Sequence, residues 1–278
     1  MNNIPFSKMS GTMNDFIIID NRQNVLNVSP EKRPQWVQKI CTRKYSIGAD
    51  GVILIEDSPS ADFKWQFYNC DGSRAEMCGN GARCAARFSY LEGISGPHLK
   101  FETDAGIIEA HVNEKNVKIK MTEPSQPKLN MELSSEGAKL TLSKINTGVP
   151  HAVMEVEKLD DFTLDTLRNL GKTIRNHKHF EPKGTNVTFL EIVDKTHIKV
   201  KSYERGVEDI TYACGTGVVA AALIANARGF THSPTDVETP GGHLKVYFER
   251  GDKSQFQNVY LEGDARMIYK GVFTDETV

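Results

Sequence analysis

The sequence predicts an α+β protein of two homologous halves, each an antiparallel β-sheet or barrel wrapped around a central helix, related by a pseudo-two-fold axis. Three observations lead to this prediction. A cysteine motif occurs twice, strand-like runs follow one order in both halves, and a helical stretch follows each motif. The second of these stretches is apolar on every side, so we expect it to be buried.

The repeated motif is Cys78-Gly-Asn-Gly, which returns as Cys214-Gly-Thr-Gly 136 positions later (214 − 78 = 136). Ala85-Ala86 and Ala221-Ala222 keep the same offset. Further blocks recur in the same order at an offset of 136 or 137, and they begin at Gly48 and Gly184, Gln66 and Ser202, Phe101 and Val237, and Gly11 and Gly148. This order predicts two copies of one fold rather than chance matches.

Runs that alternate apolar and polar residues, or are rich in β-branched residues, predict the strands of each half. The first half has such runs at 16–20, 52–56, 63–68, 107–112 and 117–121, and the second at 152–156, 187–192, 198–203 and 244–248. Central helices are predicted to begin just after Cys78 and Cys214 and to end at Gly93 and Gly229. Surface helices are predicted at 34–44 and at 164–176, the latter with Thr163 as N-cap.

The joint between the halves is predicted near 122–136, which begins with the polar, proline-rich segment Thr-Glu-Pro-Ser-Gln-Pro-Lys. We therefore expect an N-terminal half at 1–122 and a C-terminal half at 123–278. Each half is long enough to bury a core of its own.

Composition favours a cytoplasmic protein with a small-molecule partner. The 278 residues include 34 Lys+Arg and 36 Asp+Glu without a long basic run, which argues against nucleic acid or an anionic membrane as partner. The N-terminus lacks the pattern of a signal peptide, and no apolar stretch is long enough to span a membrane. Five cysteines without a CxxC pair argue against a disulfide framework and a structural metal site.

A Cys-Gly-x-Gly motif at a helix start can bind an anion beside a reactive thiol. Glycine lets a ligand approach the backbone, and the free N–H groups of the first turn favour a carboxylate. The same field favours thiolate over thiol, so we expect the pKa of each cysteine to lie below its free value of about 8.5. Two such motifs in a duplicated fold are expected to face each other, with one thiolate removing a proton from a substrate carbon and one thiol returning a proton to the opposite face.

Polar residues in the matched blocks are candidates to assist the thiols and to bind the substrate. His151 and Glu204 are candidates to accept a thiol proton. Arg205 is suited to bind a second carboxylate through two hydrogen bonds. Side-chain amides suited to the polar groups of an amino acid are present at Asn14, Asn69, Asn80 and Asn186.

At these residues the chain resembles the diaminopimelate epimerase family, whose members work without cofactor or metal, over essentially its full length. The motifs that carry the resemblance are Gly11-Thr-Met-Asn-Asp-Phe16, Asn69-Cys-Asp-Gly-Ser73, Cys78-Gly-Asn-Gly-Ala-Arg83, Gly148-Val-Pro-His151, Gly184-Thr-Asn186, Tyr203-Glu-Arg-Gly206 and Ala213-Cys-Gly-Thr-Gly217. The resemblance implies interconversion of LL- and meso-diaminopimelate in lysine and peptidoglycan precursor synthesis. It also implies a homodimer, and a final strand at about 267–278 that packs on the first half.

The resemblance further implies a role for each matched residue. Cys78 and Cys214 would be the two catalytic thiols, assisted by His151 and Glu204 respectively. The substrate's reacting carboxylate would bind the backbone amides of Gly79, Asn80, Gly215 and Thr216. Its remaining polar groups would bind Asn14, Asn69, Asn186, Glu204 and Arg205.

Two alternatives remain open at this stage. A racemase of the same fold for another amino acid would share the cysteines and would not need Arg205. A thiol redox or ligand-binding protein would instead join Cys78 and Cys214 in a reversible disulfide, although the missing CxxC and the separate anion sites speak against it.

Overall fold

A computed structural model describes residues 3–135, 138–251, 255–274 and 276–277. It divides into two compact units, Met1–Ile119 together with Gly263–Val278, and Lys120–Glu262. Position 136 of the predicted linker and positions 275 and 278 of the predicted final strand lie outside the described residues. No helix in these ranges is long and apolar enough to cross a membrane.

The first unit contains two helices and a mixed sheet. Its elements are β1 (Pro5–Gly11), β2 (Asn14–Asp20), α1 (Arg33–Cys41), β3 (Gly51–Glu56), β4 (Phe63–Asn69), α2 (Gly79–Leu91), β5 (His98–Thr103), β6 (Gly106–Asn113) and β7 (Asn116–Lys120), with the last strand of the chain, β17 (Arg266–Val272), paired antiparallel to β1. Its core includes Ile17 and Ile19 of β2 and Val52 and Leu54 of β3, packed with Ile40 of α1.

The second unit is likewise built of α-helices and β-strands. They are β8 (Lys128–Ser135), β9 (Ala138–Asn146), β10 (Pro150–Glu155), α3 (Leu164–Arg175), β11 (Asn186–Ile192), β12 (His197–Glu204), β13 (Asp209–Thr211), α4 (Gly215–Ala227), β14 (Thr235–Thr239), β15 (Gly242–Arg250) and β16 (Phe256–Asp264). Thr163 is the N-cap of α3, as predicted, because its Oγ1 accepts a hydrogen bond from the Thr166 N–H at 3.1 Å.

The two units pair their strands in the same order and direction. In the first unit β1–β2 is antiparallel, β2–β3 parallel, β3–β4 antiparallel, β4–β5 parallel and β5–β6 antiparallel. The second unit repeats this sequence with β9–β10, β10–β11, β11–β12, β12–β14 and β14–β15. The predicted antiparallel pairs are therefore accompanied by two parallel pairs in each sheet. A helix lies between the two strands of every parallel pair, since parallel neighbours need a crossover connection.

Both helices that follow a cysteine motif end in the same way. Gly93 and Gly229 have positive φ values of 69° and 82°, as the predicted glycine ends require. Beyond them, the Ile94 N–H donates to Ser89 O and the Phe230 N–H donates to Ala225 O, both at 2.9 Å. These helix ends occupy equivalent positions of the repeat. From Gly217 to Ala225 every residue of α4 is buried, in agreement with its apolar sequence.

The predicted linker and the predicted helix at 34–44 differ from the structure in their bounds, and the final strand, β17, ends at Val272 rather than at about 278. The predicted linker becomes strand β8 at Lys128, because Met131 and Leu133 pack on the core of the second unit. Helix α1 ends at Cys41 rather than at 44, since Thr42 takes an extended conformation with ψ 111°.

Candidate active site

Cys214 stands directly before α4 in an extended conformation, with φ −101° and ψ 106°. The unpaired N–H groups of the first helical turn therefore begin at Gly215 and Thr216, as predicted. The Cys214 side chain is buried, and its Sγ lies 3.5 Å from Thr216 Oγ1. This cysteine is a free thiol at a helix N-terminus.

Cys214 and Glu204 form a hydrogen-bonded thiol–carboxyl pair. Burial and the negative charge of Glu204 raise the pKa of Cys214 well above its ordinary value, although the hydrogen bond with Thr216 and the one from the Gly217 N–H act in the opposite direction. Burial raises the pKa of Glu204, opposed by hydrogen bonds from the Thr211 hydroxyl and the Cys214 thiol. The predicted low pKa is therefore wrong for Cys214, because burial and a neighbouring carboxyl outweigh the helix N-terminus.

His151 lies in β10 of the same unit and is completely buried. Its Nε2 is 2.9 Å from Thr216 Oγ1, and its Nδ1 is 3.2 Å from Thr188 Oγ1. Burial, together with the positive charge of Arg205, lowers the pKa of His151 to about 3. The imidazole is therefore neutral near pH 7, with one nitrogen as donor and the other as acceptor.

Asn186 and Arg205 are next to this histidine. The Arg205 backbone N–H donates to Asn186 Oδ1 at 2.8 Å, and Asn186 Nδ2 lies 3.4 Å from His151 Nε2. The partly exposed Arg205 guanidinium donates to the Lys183 carbonyl at 3.3 Å. The predicted residues of the C-terminal half thus form one connected group, which comprises His151, Asn186, Glu204, Arg205, Cys214, Gly215 and Thr216.

Gly217 allows the first turn of α4 to pack tightly on the residues around His151. A Cβ added to Gly217 would lie 2.6 Å from Ser202 Oγ, 2.9 Å from Thr188 Oγ1 and 3.2 Å from His151 Cε1. At the equivalent Gly81, the nearest atom to an added Cβ is Ile53 Cδ1 at 3.3 Å. The glycine requirement is therefore steric at the second motif and weaker at the first.

In the first unit, Cys78 likewise precedes its helix in an extended conformation, with φ −147° and ψ 117°. Its thiol is partly exposed and is not part of a disulfide among the described residues. Gly79 and Asn80 begin α2, and the buried Asn80 side chain accepts a hydrogen bond from Arg83 Nη2 at 2.9 Å. The motif therefore has the predicted place at a helix start.

Arg83, which was not among the predicted site residues, organises this first motif. Its guanidinium is fully buried and donates to Asn80 Oδ1, to Thr12 Oγ1 at 2.6 Å and to the backbone carbonyls of Gly79 and Asp264. Burial lowers the pKa of Arg83, whereas the neighbouring thiols and Asp264 raise it. The corresponding position of the repeat is Val219, so the cation belongs to the first motif alone.

The remaining predicted residues of the first unit lie at strand ends. Asn14 begins β2, and its Oδ1 is buried without a hydrogen-bond partner among the residues that the structure describes. Asn69 ends β4, and its Nδ2 donates to Ser73 Oγ at 3.0 Å. The described part of the chain contains no group of three or more His, Cys, Asp or Glu residues placed to hold a metal ion.

Comparison with known sequences gives one consistent family. The family model described as Diaminopimelate epimerase matches residues 6–127 and 143–268. A diaminopimelate epimerase of Aquifex aeolicus (strain VF5) is 42% identical, with 98% of this chain and 99% of that protein covered. Another, of the archaeon Archaeoglobus fulgidus, is 40% identical over 97% of this chain and 96% of its own length.

Solved structures of lower identity share the fold. A phenazine biosynthesis protein of the PhzF family from Bacillus anthracis has a TM-score of 0.75 at 17% identity, covering 99% of this chain and 100% of its own. A hydroxyproline epimerase from Agrobacterium vitis has a TM-score of 0.69 at 14% identity, covering 99% and 94%. These likenesses confirm the predicted fold class.

Proposed function

We propose that this chain, which belongs to the diaminopimelate epimerase family, interconverts LL-2,6-diaminopimelate and meso-diaminopimelate. The reaction is a two-base proton transfer at the α-carbon. The reaction would serve lysine and peptidoglycan precursor synthesis. The observation that carries the mechanism is the presence of a cysteine directly before each of two equivalent helices, Cys78 before α2 and Cys214 before α4, in two units with the same strand pairing.

In this proposal the substrate carboxylate binds the backbone N–H groups at the two helix starts, from Gly79, Asn80, Gly215 and Thr216. Such groups stabilise the negative charge that develops when the α-proton leaves. One thiolate removes the proton, and the opposite thiol donates a proton to the other face. No cofactor is assigned to the reaction.

The surroundings of Cys214 suit the proton-donating role. Its raised pKa means that it keeps its proton near neutral pH, and Glu204 is within hydrogen-bonding reach to accept that proton in the reverse direction. His151 is assigned as the assistant of Cys78, as the family resemblance implies. In the direction in which Cys214 donates, the Cys78 thiolate removes the α-proton from the isomer that presents this proton to it.

The polar groups of the substrate distant from the reacting carbon are assigned to four residues. Arg205 has a partly exposed guanidinium, which can bind the distal carboxylate through two hydrogen bonds. The unpartnered Oδ1 of Asn14 is an acceptor for the ammonium group. Asn69 and Asn186 complete this set.

Isotope incorporation tests the mechanism. Purified, reduced protein is incubated with LL-diaminopimelate in heavy water, and product and remaining substrate are analysed at low conversion. A two-base mechanism labels the inverted carbon of the product and leaves the recovered substrate unlabelled, because different thiols remove and return the proton. Deuterium in both the product and the recovered substrate would indicate a single base. Turnover without deuterium in the product would refute proton donation by a thiol that exchanges with solvent.

Cysteine variants test the two residues separately. Cys78→Ala and Cys214→Ala should each abolish epimerisation and leave the circular dichroism spectrum unchanged. Cys70→Ala is the matched control, since Cys70 is an exposed free cysteine in a loop. Normal turnover in Cys78→Ala or Cys214→Ala would remove that residue from the mechanism.

Substrate class and assembly are tested independently. A racemase for another amino acid would turn over substrates without a distal carboxylate, so a panel of amino acids assayed with the protein and with Arg205→Leu decides between the two functions. Arg205→Leu should raise KM for diaminopimelate. The proposed homodimer is checked by sedimentation equilibrium, where a monomer mass across the concentration range would exclude it.

A further inference from the structure

We infer that Asn186, Thr188 and Ser202 are positioning residues that hold His151 in a single tautomer, with its proton on Nδ1 and the lone pair of Nε2 directed at Thr216. The tautomer itself follows from the hydrogen bonds within the second unit. Its catalytic meaning rests on the proposed function, so the two are tested with separate measurements.

The first step is the orientation of the Asn186 side-chain amide. A backbone N–H can only donate, so the atom 2.8 Å from the Arg205 nitrogen must be the carbonyl oxygen of that amide. The NH2 group therefore lies on the other side, where Nδ2 is 3.4 Å from His151 Nε2. Because an NH2 group also can only donate, Nε2 must act as the acceptor.

The second step assigns the other ring nitrogen. The neutral ring carries one proton, so an accepting Nε2 leaves that proton on Nδ1, which donates to Thr188 Oγ1 at 3.2 Å. The Thr188 hydroxyl then donates to Ser202 Oγ, also at 3.2 Å. Thr188 is fully buried and Ser202 nearly so, which means that water does not compete for these hydrogen bonds.

The third step concerns Thr216, whose Oγ1 lies 2.9 Å from Nε2. Against an accepting Nε2, the Thr216 hydroxyl is the donor of this hydrogen bond. The opposite tautomer would set the Nε2 proton against the Asn186 NH2 group and leave Nε2 unable to accept. The hydrogen-bonded chain therefore keeps the lone pair of His151 Nε2 facing Thr216 and Asn186.

The tautomer is measured directly by 15N NMR of protein labelled at its eight histidines, with the His151 signals assigned by their loss in His151→Gln. We expect a protonated Nδ1 and an unprotonated Nε2 near neutral pH. Thr188→Val, which replaces the acceptor by a methyl group of similar size, should populate the second tautomer, whereas Thr188→Ser should retain the first. A protonated Nε2 in the unmodified protein, or an unchanged tautomer in Thr188→Val, would overturn the inference.

Kinetics test the consequence for the reaction. Thr188→Val should lower kcat by roughly tenfold to hundredfold, the range typical of losing a hydrogen bond that orients a functional histidine. Its KM should stay within about threefold, because the fully buried Thr188 is not accessible to a ligand. Thr188→Ser should restore kcat. An equal loss of kcat in Thr188→Val and Thr188→Ser would indicate that Thr188 acts through packing and not through the tautomer of His151.

The two measurements separate the inference from the proposed function. If the protein fails to epimerise diaminopimelate, the NMR experiment still decides the tautomer. If Nε2 is found protonated while epimerisation proceeds, the inference fails and the proposed function stands.

Discussion

Replacement of Gly217 by alanine perturbs the packing around His151 with the smallest possible change in the sequence. The added Cβ would lie 2.6 Å from Ser202 Oγ and 2.9 Å from Thr188 Oγ1, distances that real Cβ atoms do not show. Both contacts are with short, buried side chains that have little room to move. Helix α4 or the strands that carry these hydroxyls must therefore shift.

The expected cost follows from this overlap. Overpacking a dense interior costs about 1–3 kcal/mol of unfolding free energy, which corresponds to a fall in Tm of roughly 5 to 10 °C for a unit of this size. Since a displacement of about 1 Å in a catalytic group can cost a hundredfold in rate, kcat should fall by about that factor. Thermal unfolding followed by circular dichroism and steady-state epimerisation kinetics measure the two effects.

Two variants serve as controls for Gly217→Ala. Gly81→Ala is the equivalent change in the first unit, where the nearest atom is a movable methyl group at 3.3 Å, so it should be tolerated better. Gly96→Ala places its Cβ where no atom lies within 4 Å and should leave stability unchanged. Ser202→Ala removes the atom at 2.6 Å and should reduce the stability cost of Gly217→Ala in the double variant. Equal stability of Gly217→Ala and Gly96→Ala would refute the steric argument.

Three further predictions concern stability. The pKa of His151 is about 6.5 in the unfolded chain and about 3 in the folded protein, so between these pH values only the unfolded state binds the proton. The free energy of unfolding should therefore decline by at most about 5 kcal/mol as the pH falls from 6.5 toward 3. Denaturant titrations should show a weaker pH dependence of stability for His151→Gln. The pKa of Asp15, which burial raises but hydrogen bonds lower to about 2, should add a loss between about pH 4 and 2 that Asp15→Asn removes. Thr12 and Met13 both have positive φ, yet Met13→Gly should change the unfolding free energy by less than about 0.5 kcal/mol. Thr12→Gly should cost about 1–3 kcal/mol, because it removes the hydroxyl that accepts a hydrogen bond from the buried Arg83. Equal effects of the two variants in chemical denaturation would contradict this.

The duplicated fold could be predicted because its signal is local. Glycine spacing, strand alternation and the apolar run of α4 each lie within a few consecutive residues, and the repeat relates them across the chain. The parallel strand pairs were not predicted, because an alternation of apolar and polar residues identifies a strand without showing its direction. The position of β8 was missed because prolines obscured the start of a strand whose Met131 and Leu133 pack on the core.

The site could be predicted only as far as its motifs extend. Cys78, Cys214 and His151 lie beside glycines and in matched blocks, whereas Thr188 and Ser202 look like ordinary polar residues of strands. Their role comes from hydrogen bonds between neighbouring strands, which no spacing in the sequence encodes. Arg83 offered a weak signal, a charged residue in the first turns of a helix otherwise rich in buried small residues.

The differences between the two cysteine motifs show what covalent duplication permits. In a dimer of identical subunits, every substitution near the motif appears twice, so a buried cation beside one thiol would also stand beside the other. Here Arg83 belongs to one copy, while the crowded Gly217 and the buried His151 belong to the other. The proposed two-base reaction uses an acid and a base at one carbon, and a single chain with two independently mutable copies can give each of them its own environment.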